Sequence, residues 1–167
     1  MSNLRRYHRE GNFYFVTNVT YNRCPILTKN AQLLKHATRI AQAKKPFELL
    51  AWVILPDHLH LVIGSSSWDI SKLLQTIKMS FGASYRKRMG ISSGRVWQNR
   101  FWDHILRDQD DLNRHIDYVH YNPVKHGLTR SPFDWKWSSI DDYHSEGFYT
   151  DDWGRKEPDW KGIDFGE

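Results

Sequence analysis

Leu55-Pro56-Asp57-His58-Leu59-His60-Leu61-Val62-Ile63 is the stretch on which the fold turns. Side chains two apart on a strand share a face, so His58 and His60 point one way while Leu59, Leu61 and Ile63 point into a core. Two imidazoles side by side on a rigid strand form half of a metal site. The residues just before it, Glu48 to Leu55, also read as a strand, and Pro56-Asp57 supplies the tight turn of a hairpin.

Working outward, Phe13 to Thr20 mixes aromatic and β-branched residues and predicts a first strand. Leu33, Leu34, Ala37, Ile40 and Ala41 recur at helical spacing from about Asn30, and Pro46 closes that helix. After His58 to Gly64, a serine loop leads into a long helix from about Asp69, with Ile70, Leu73, Leu74, Ile77 and Phe81 as its buried stripe. Val96 to Leu106 predicts a fourth strand with an irregular entry. Asp110 and Asp111 suit the positive end of a further helix, whose apolar edge is Leu112, Ile116 and Val119. The order strand, helix, strand, strand, helix, strand defines an α+β fold of the ferredoxin-like type: an antiparallel sheet with helices on one face, plus an added C-terminal helix.

The chain has 167 residues, 40% hydrophobic and 26% charged, which suits one catalytic domain over 1–140 with a C-terminal tail over 141–167. The net charge of +5 is unevenly spread. The tail holds nine acids against three bases, which leaves 21 bases against ten acids in the first 140 residues. A basic body suits a polyanionic partner, and eight each of Trp, Tyr and Phe exceed what a core of this size needs, as base stacking would require. A single cysteine, Cys24, excludes an internal disulfide. The longest apolar run, Leu49 to Leu55, is too short to cross a bilayer, so the expectation is a cytoplasmic protein with no membrane partner.

The other half of the chemistry lies on the last helix. Asp111, His115, Tyr118 and Asn122 fall at offsets of four, seven and eleven, one face of a 3.6-residue helix beside the apolar edge. If this helix packs against the histidine strand, the Asn122 amide oxygen completes a metal site with His58 and His60, and the Tyr118 hydroxyl stands over it. Pro123 disfavours helical geometry at Asn122, but the side chain's direction is set by the turn before it. His115 shares the stripe and is a candidate catalytic residue. Tyr121, a rival phenol, does not. Two imidazoles and an amide leave little negative charge, which suits Mg2+ or Mn2+ bridged by a substrate phosphate. A phenol attacking a phosphodiester at such an ion would give a covalent phosphotyrosine.

Pro56-Asp57-His58-Leu59-His60-Leu61-Val62, Val96-Trp97-Gln98-Asn99-Arg100-Phe101-Trp102-Asp103-His104 and Tyr118-Val119-His120-Tyr121-Asn122-Pro123-Val124-Lys125-His126-Gly127, in this order, resemble the single-tyrosine HUH transposases, and within them the REP-associated tyrosine transposases. The resemblance runs from about Ser2 to Trp137. It implies a metal-dependent endonuclease and strand-transferase acting on single-stranded DNA at a REP-type hairpin, as a monomer or homodimer. By position, His58 and His60 match the HUH pair, Tyr118 the nucleophile, and Asn122 the place where insertion-sequence relatives carry a Gln ligand.

Two other classes compete with this reading. A non-catalytic ferredoxin-like module binding single-stranded nucleic acid would use basic and aromatic residues without His58, His60 or Tyr118. A nucleotide hydrolase with three alternating histidines is excluded by Val62, and no second His-x-Ser/Thr supports cyclic phosphodiesterase chemistry. Arg5, Arg6, Lys72, Lys78, Arg86 and Lys125 are expected phosphate contacts. The acidic tail is expected to compete with DNA for this basic face, Trp153 and Trp160 offering a structural role instead.

Overall fold

A computed structural model describes residues 11–65, 70–160 and 162–166. Four strands, β1 (Asn12–Val19), β2 (Glu48–Ile54), β3 (His58–Ser65) and β4 (Trp102–Leu106), form one sheet in the order β2-β3-β1-β4, every pair antiparallel. The helices are α1 (Ala31–Lys44), α2 (Ile70–Met89), α3 (Gln109–Lys125) and a short α4 (Ile140–Ser145). This is the split βαβ arrangement expected from the sequence.

The sheet is buried on both faces, and the alternation along β3 divides them. Leu59, Leu61 and Ile63 join Val16, Ile77 and Phe81 beneath α1 and α2. Val62 points the other way and joins Phe15, Val53, Ile116 and Val119 beneath α3. His58 and His60 share the parity of Val62, so they lie on the α3 side of the sheet. Every residue from His58 to Gly64 is buried.

α3 starts sharply because Asp108, in extended conformation, accepts a hydrogen bond from the Asp111 amide at 2.8 Å. It then runs through Pro123 to Lys125, further than the proline implied. Proline costs the helix one amide donor, but Asn122 and Pro123 are buried and the His126 amide still closes on the Asn122 carbonyl at 3.0 Å.

The fourth strand is shorter than expected. Trp97 makes only an isolated bridge to Thr20, and regular pairing begins at Trp102. Lys78 explains the interruption: its Nζ donates to the carbonyls of Gln98 at 2.7 Å and Asn99 at 3.5 Å, so these groups turn toward α2 rather than into a ladder.

The C-terminal segment packs into the α3-side core through Tyr143, Tyr149 and Phe165. The Tyr143 hydroxyl donates to the Leu50 carbonyl at 2.7 Å and the Tyr149 hydroxyl to Asp117 at 2.8 Å. His120 joins this segment to α3, its two ring nitrogens 2.8 Å from Tyr149 Oη and from Ser139 Oγ. Replacing Asp108 by Ala removes the α3 cap and should cost about 1 kcal/mol, read as a lower urea midpoint with an unchanged slope.

Candidate active site

β3 and α3 bring the sequence-predicted side chains together. The His58 and His60 rings lie 5.0 Å apart, centroid to centroid, and nearly perpendicular. The Tyr118 ring lies 5.5 Å from His60, and that of His126 lies 5.0 Å from His58. Residues 118, 122 and 126 succeed one another by one turn, so buried Asn122 sits on α3 between the turn over His60 and the turn over His58.

Hydrogen bonds select one tautomer for each neutral histidine. Asp57 is a carboxylate 2.6 Å from His58 Nδ1, so that nitrogen donates, and the neutral ring then has its lone pair on Nε2. Burial alone would raise the Asp57 pKa, but the hydrogen bonds and charges of His58 and Arg23 outweigh it and hold the carboxyl below its ordinary value. Arg23 reaches it at 3.1 Å from a turn in which Asn22 and Arg23 both have positive φ. The Thr17 hydroxyl donates its one proton to the Phe165 carbonyl at 2.9 Å. It must therefore accept from His60 Nδ1, also at 2.9 Å, which leaves the His60 lone pair on Nε2. An acceptor fixed behind each ring is how ligating histidines are held. With an amide oxygen on the turn between them, the donor set fits a divalent cation.

The two phenols differ in surroundings. Lys125, two turns after Tyr118, donates from Nζ to the Tyr118 hydroxyl at 2.7 Å and lies 4.8 Å from the centre of its ring. Tyr121 packs near Trp153 and Trp160, and burial together with the Glu157 carboxylate pushes its pKa up, the wrong direction for a nucleophile.

His115 is placed differently from the stripe mates it was grouped with. Its Nδ1 donates to the Asp111 carbonyl at 2.7 Å, and its ring stacks 5.3 Å from His104. His104, Asp111 and His115 form a cluster whose possible ligand atoms lie within 4.8 Å of one another. The Asp111 Oδ2 already accepts from His104 Nε2, the Arg107 amide and Arg107 Nε, at 3.1 to 3.2 Å. A cation there would have to displace Arg107. Phe15 and Phe165 touch both His115 and Tyr118 and link this cluster to the tyrosine.

The expected phosphate contacts divide. Lys72 is exposed on α2. Lys78 holds the 98–99 loop, with its pKa lowered by burial, and Arg86 donates to the Gly94 carbonyl at 3.2 Å. Lys125 is on the tyrosine, and Arg5 and Arg6 lie outside the described residues. Sequence reasoning missed Asp57, Thr17 and His126. Asp57 adjoins His58, and His126 continues the 118–122 stripe by four, so both had a spacing signal; Thr17 had none.

The tail reaches the site. Phe165 stacks on Tyr118 with centroids 3.4 Å apart and planes within 2°, and Trp160 meets the tyrosine ring edge-on at 5.5 Å. Tyr118 is consequently only 1% exposed. Gly166 holds this contact: its φ is +68°, and a Cβ there would fall 2.2 Å from Trp102 Cγ.

Paired strand histidines facing a helix tyrosine across one sheet face define a class, the HUH-type tyrosine transposases. Residues 10–121 match the model of the IS200-like transposase family. The chain is similar to the REP-associated tyrosine transposase of Escherichia coli K12, 35% identical over 92% of this chain and 91% of that one. It is also 36% identical to a putative REP-associated tyrosine transposase of Haemophilus influenzae, over 96% and 97%. A solved REP-associated tyrosine transposase, bound to a REP hairpin, superposes with a TM-score of 0.79 at 34% identity, covering 96% of both chains. A putative transposase of Deinococcus radiodurans shares the fold, with a TM-score of 0.50 at 19% identity over 72% of this chain and 98% of that one. The chain belongs to the IS200-like transposase family and is an HUH-type transposase and endonuclease. The family points to a divalent metal. No helix among the described residues is long and apolar enough to cross a membrane.

Burial depresses the His115 pKa below 6.5 more strongly than Asp111 raises it. The folded chain therefore binds fewer protons there than the unfolded one. This contribution to stability is complete above pH 6.5 and is lost as the pH falls through the lower folded value. Urea unfolding of the metal-free protein should weaken from about pH 7.5 to 5.5, and His115→Gln should flatten that slope.

Proposed function

We propose that this protein cuts single-stranded DNA beside a REP-type hairpin, with Tyr118 as the nucleophile and His58, His60 and Asn122 as ligands of a Mg2+ or Mn2+ ion. The observation that carries this reading is the Lys125 ammonium on the Tyr118 hydroxyl while the same ring lies against His60. The phenolic oxygen gives up its proton to solvent and forms a bond to phosphorus, the bond from phosphorus to the leaving sugar oxygen breaks, and that oxygen takes up a proton from solvent. Lys125 stabilises the phenolate before attack. The ion, when bound, offsets phosphodiester charge and orients phosphorus for in-line displacement. Asp57 and Thr17 hold the two imidazoles in the tautomers that ligation needs. His115 acts as a positioning residue, through the Phe15 and Phe165 rings that also bound Tyr118. The hairpin as substrate is supported by the 34% identical solved relative, which is bound to one.

Residues 1–140 supply the chemistry in this reading, with Lys72, Arg86 and the N-terminal Arg5 and Arg6 contributing phosphate contacts. Residues 141–167 act as a cover through Phe165, which must leave Tyr118 before a phosphate can approach. Removing the whole segment also removes Tyr143 and Tyr149 from the core, so single substitutions are the cleaner probes.

With a labelled REP hairpin carrying single-stranded flanks and Mn2+, wild type should form a covalent protein-DNA adduct and Tyr118→Phe none, with binding retained. Equal cleavage by both would remove Tyr118 from the mechanism, and binding without any adduct in wild type would favour the non-catalytic module. Phe165→Ala and Gly166→Ala should each speed adduct formation about 10-fold, equivalent to ~1.4 kcal/mol off the barrier. Unchanged rates would leave the tail a packing element only.

A further inference from the structure

The back of the histidine strand carries a second feature. β3 points His58 and His60 toward α3, and the alternate residues Leu59 and Leu61 toward α1 and α2. There α1 and the edge strand β2 leave a groove of about 120 Å3 floored by buried Leu34, Ile54, Leu59 and Leu61, with half-buried Leu49 and Trp52 beside them. An apolar cavity of about 150 Å3 is enough to hold benzene, so this groove suits one aromatic ring.

α1 supplies the rim through Lys35, Thr38, Arg39 and Gln42. This helix contains no acidic residue, and neither Lys35 nor Arg39 is paired with a carboxylate among the described residues. The two lie one turn apart, so both cations stand over the same groove. The Lys35 ammonium lies 5.0 Å from the centre of the Trp52 ring, and the Thr38 hydroxyl is committed to the Leu34 carbonyl at 3.0 Å. A nucleobase seated here would find the groove's aromatic face covered and little to pair with its polar edge. An aliphatic floor under two unpaired cations instead matches an apolar side chain flanked by carboxylates.

We propose that this groove docks an acidic segment of a partner protein, with one aromatic side chain seated over Leu59 and Leu61 and neighbouring carboxylates on Lys35 and Arg39. Charge complementarity selects the occupant, because the ring fills the apolar floor while its acidic neighbours meet the two cations at the rim. The groove and the tyrosine lie on opposite faces of the sheet, so the docked segment leaves Tyr118, His58 and His60 unobstructed. The partner is a tether and not a competitor for the site. A small contact made partly of exposed charge pairs is weak and falls with salt.

The test uses the full chain and a fluorescein-labelled peptide in which leucine and phenylalanine follow a run of aspartates, with binding read by fluorescence anisotropy. Wild type should bind it saturably. Replacing the peptide's phenylalanine by serine should weaken binding about 10-fold. Lys35→Gln and Arg39→Gln should weaken it about 3-fold each. Thr38→Phe, which fills the groove from its rim without changing charge, should abolish binding. All three variants should keep the wild-type circular dichroism and the wild-type affinity for a REP-type hairpin. Should Thr38→Phe fail to fold, the two glutamine variants and the serine peptide still decide the matter. No saturable binding by wild type would overturn the assignment, and equal binding of the serine peptide would reduce it to long-range charge attraction and overturn it as well. Hairpin affinity lost in Thr38→Phe would give the groove to DNA. Self-association of wild type that Thr38→Phe abolishes would give it to a second copy, and either result overturns the partner assignment.

Discussion

α3 packs against the second face of β3, and every other property of the site depends on that contact. A strand buried on both faces has no solvent-facing row, so its alternate side chains must be matched by two different layers. On one side Leu59, Leu61 and Ile63 meet the apolar surfaces of α1 and α2. On the other, two histidines and Val62 meet a helix whose facing stripe is Tyr118, Asn122 and His126. The apolar part of that interface, Phe15 and Val62 against Ile116 and Val119, holds the polar part in register.

Burying imidazoles, an amide and a phenol is unfavourable unless their polar atoms are satisfied. Here the satisfaction is also selective. Asp57 and Thr17 each take the Nδ1 proton of one histidine, and both Nε2 lone pairs are thereby assigned to the same task. The two phenols also differ in their neighbours: Lys125 donates to the Tyr118 hydroxyl, whereas Tyr121 has its pKa raised by burial and by the Glu157 carboxylate.

The basic excess of the first 140 residues serves two purposes. Lys78 and Arg86 hold loop carbonyls, and Lys125 is on the tyrosine, so three of the six side chains expected to meet phosphate have intramolecular work. The acidic segment likewise meets the core through its aromatic rings, while most of its carboxylates remain exposed. Net charge describes attraction to a polyanion at a distance, and it does not assign contacts.

The sequence by itself determined the strand and helix order, the parity that puts His58 with His60, and the stripe that puts Tyr118 with Asn122, because periods of two and 3.6 residues are local properties of the backbone. It also carried the family, through three motifs in a fixed order. Only the tertiary structure decided that Thr17 stands behind His60, that His115 turns to Asp111 and His104, that the fourth strand begins at Trp102, and that Phe165 lies on Tyr118. Those contacts join residues far apart in the chain or choose among several possible local partners. Such choices are made by packing around a shared core, for which residue spacing carries no signal.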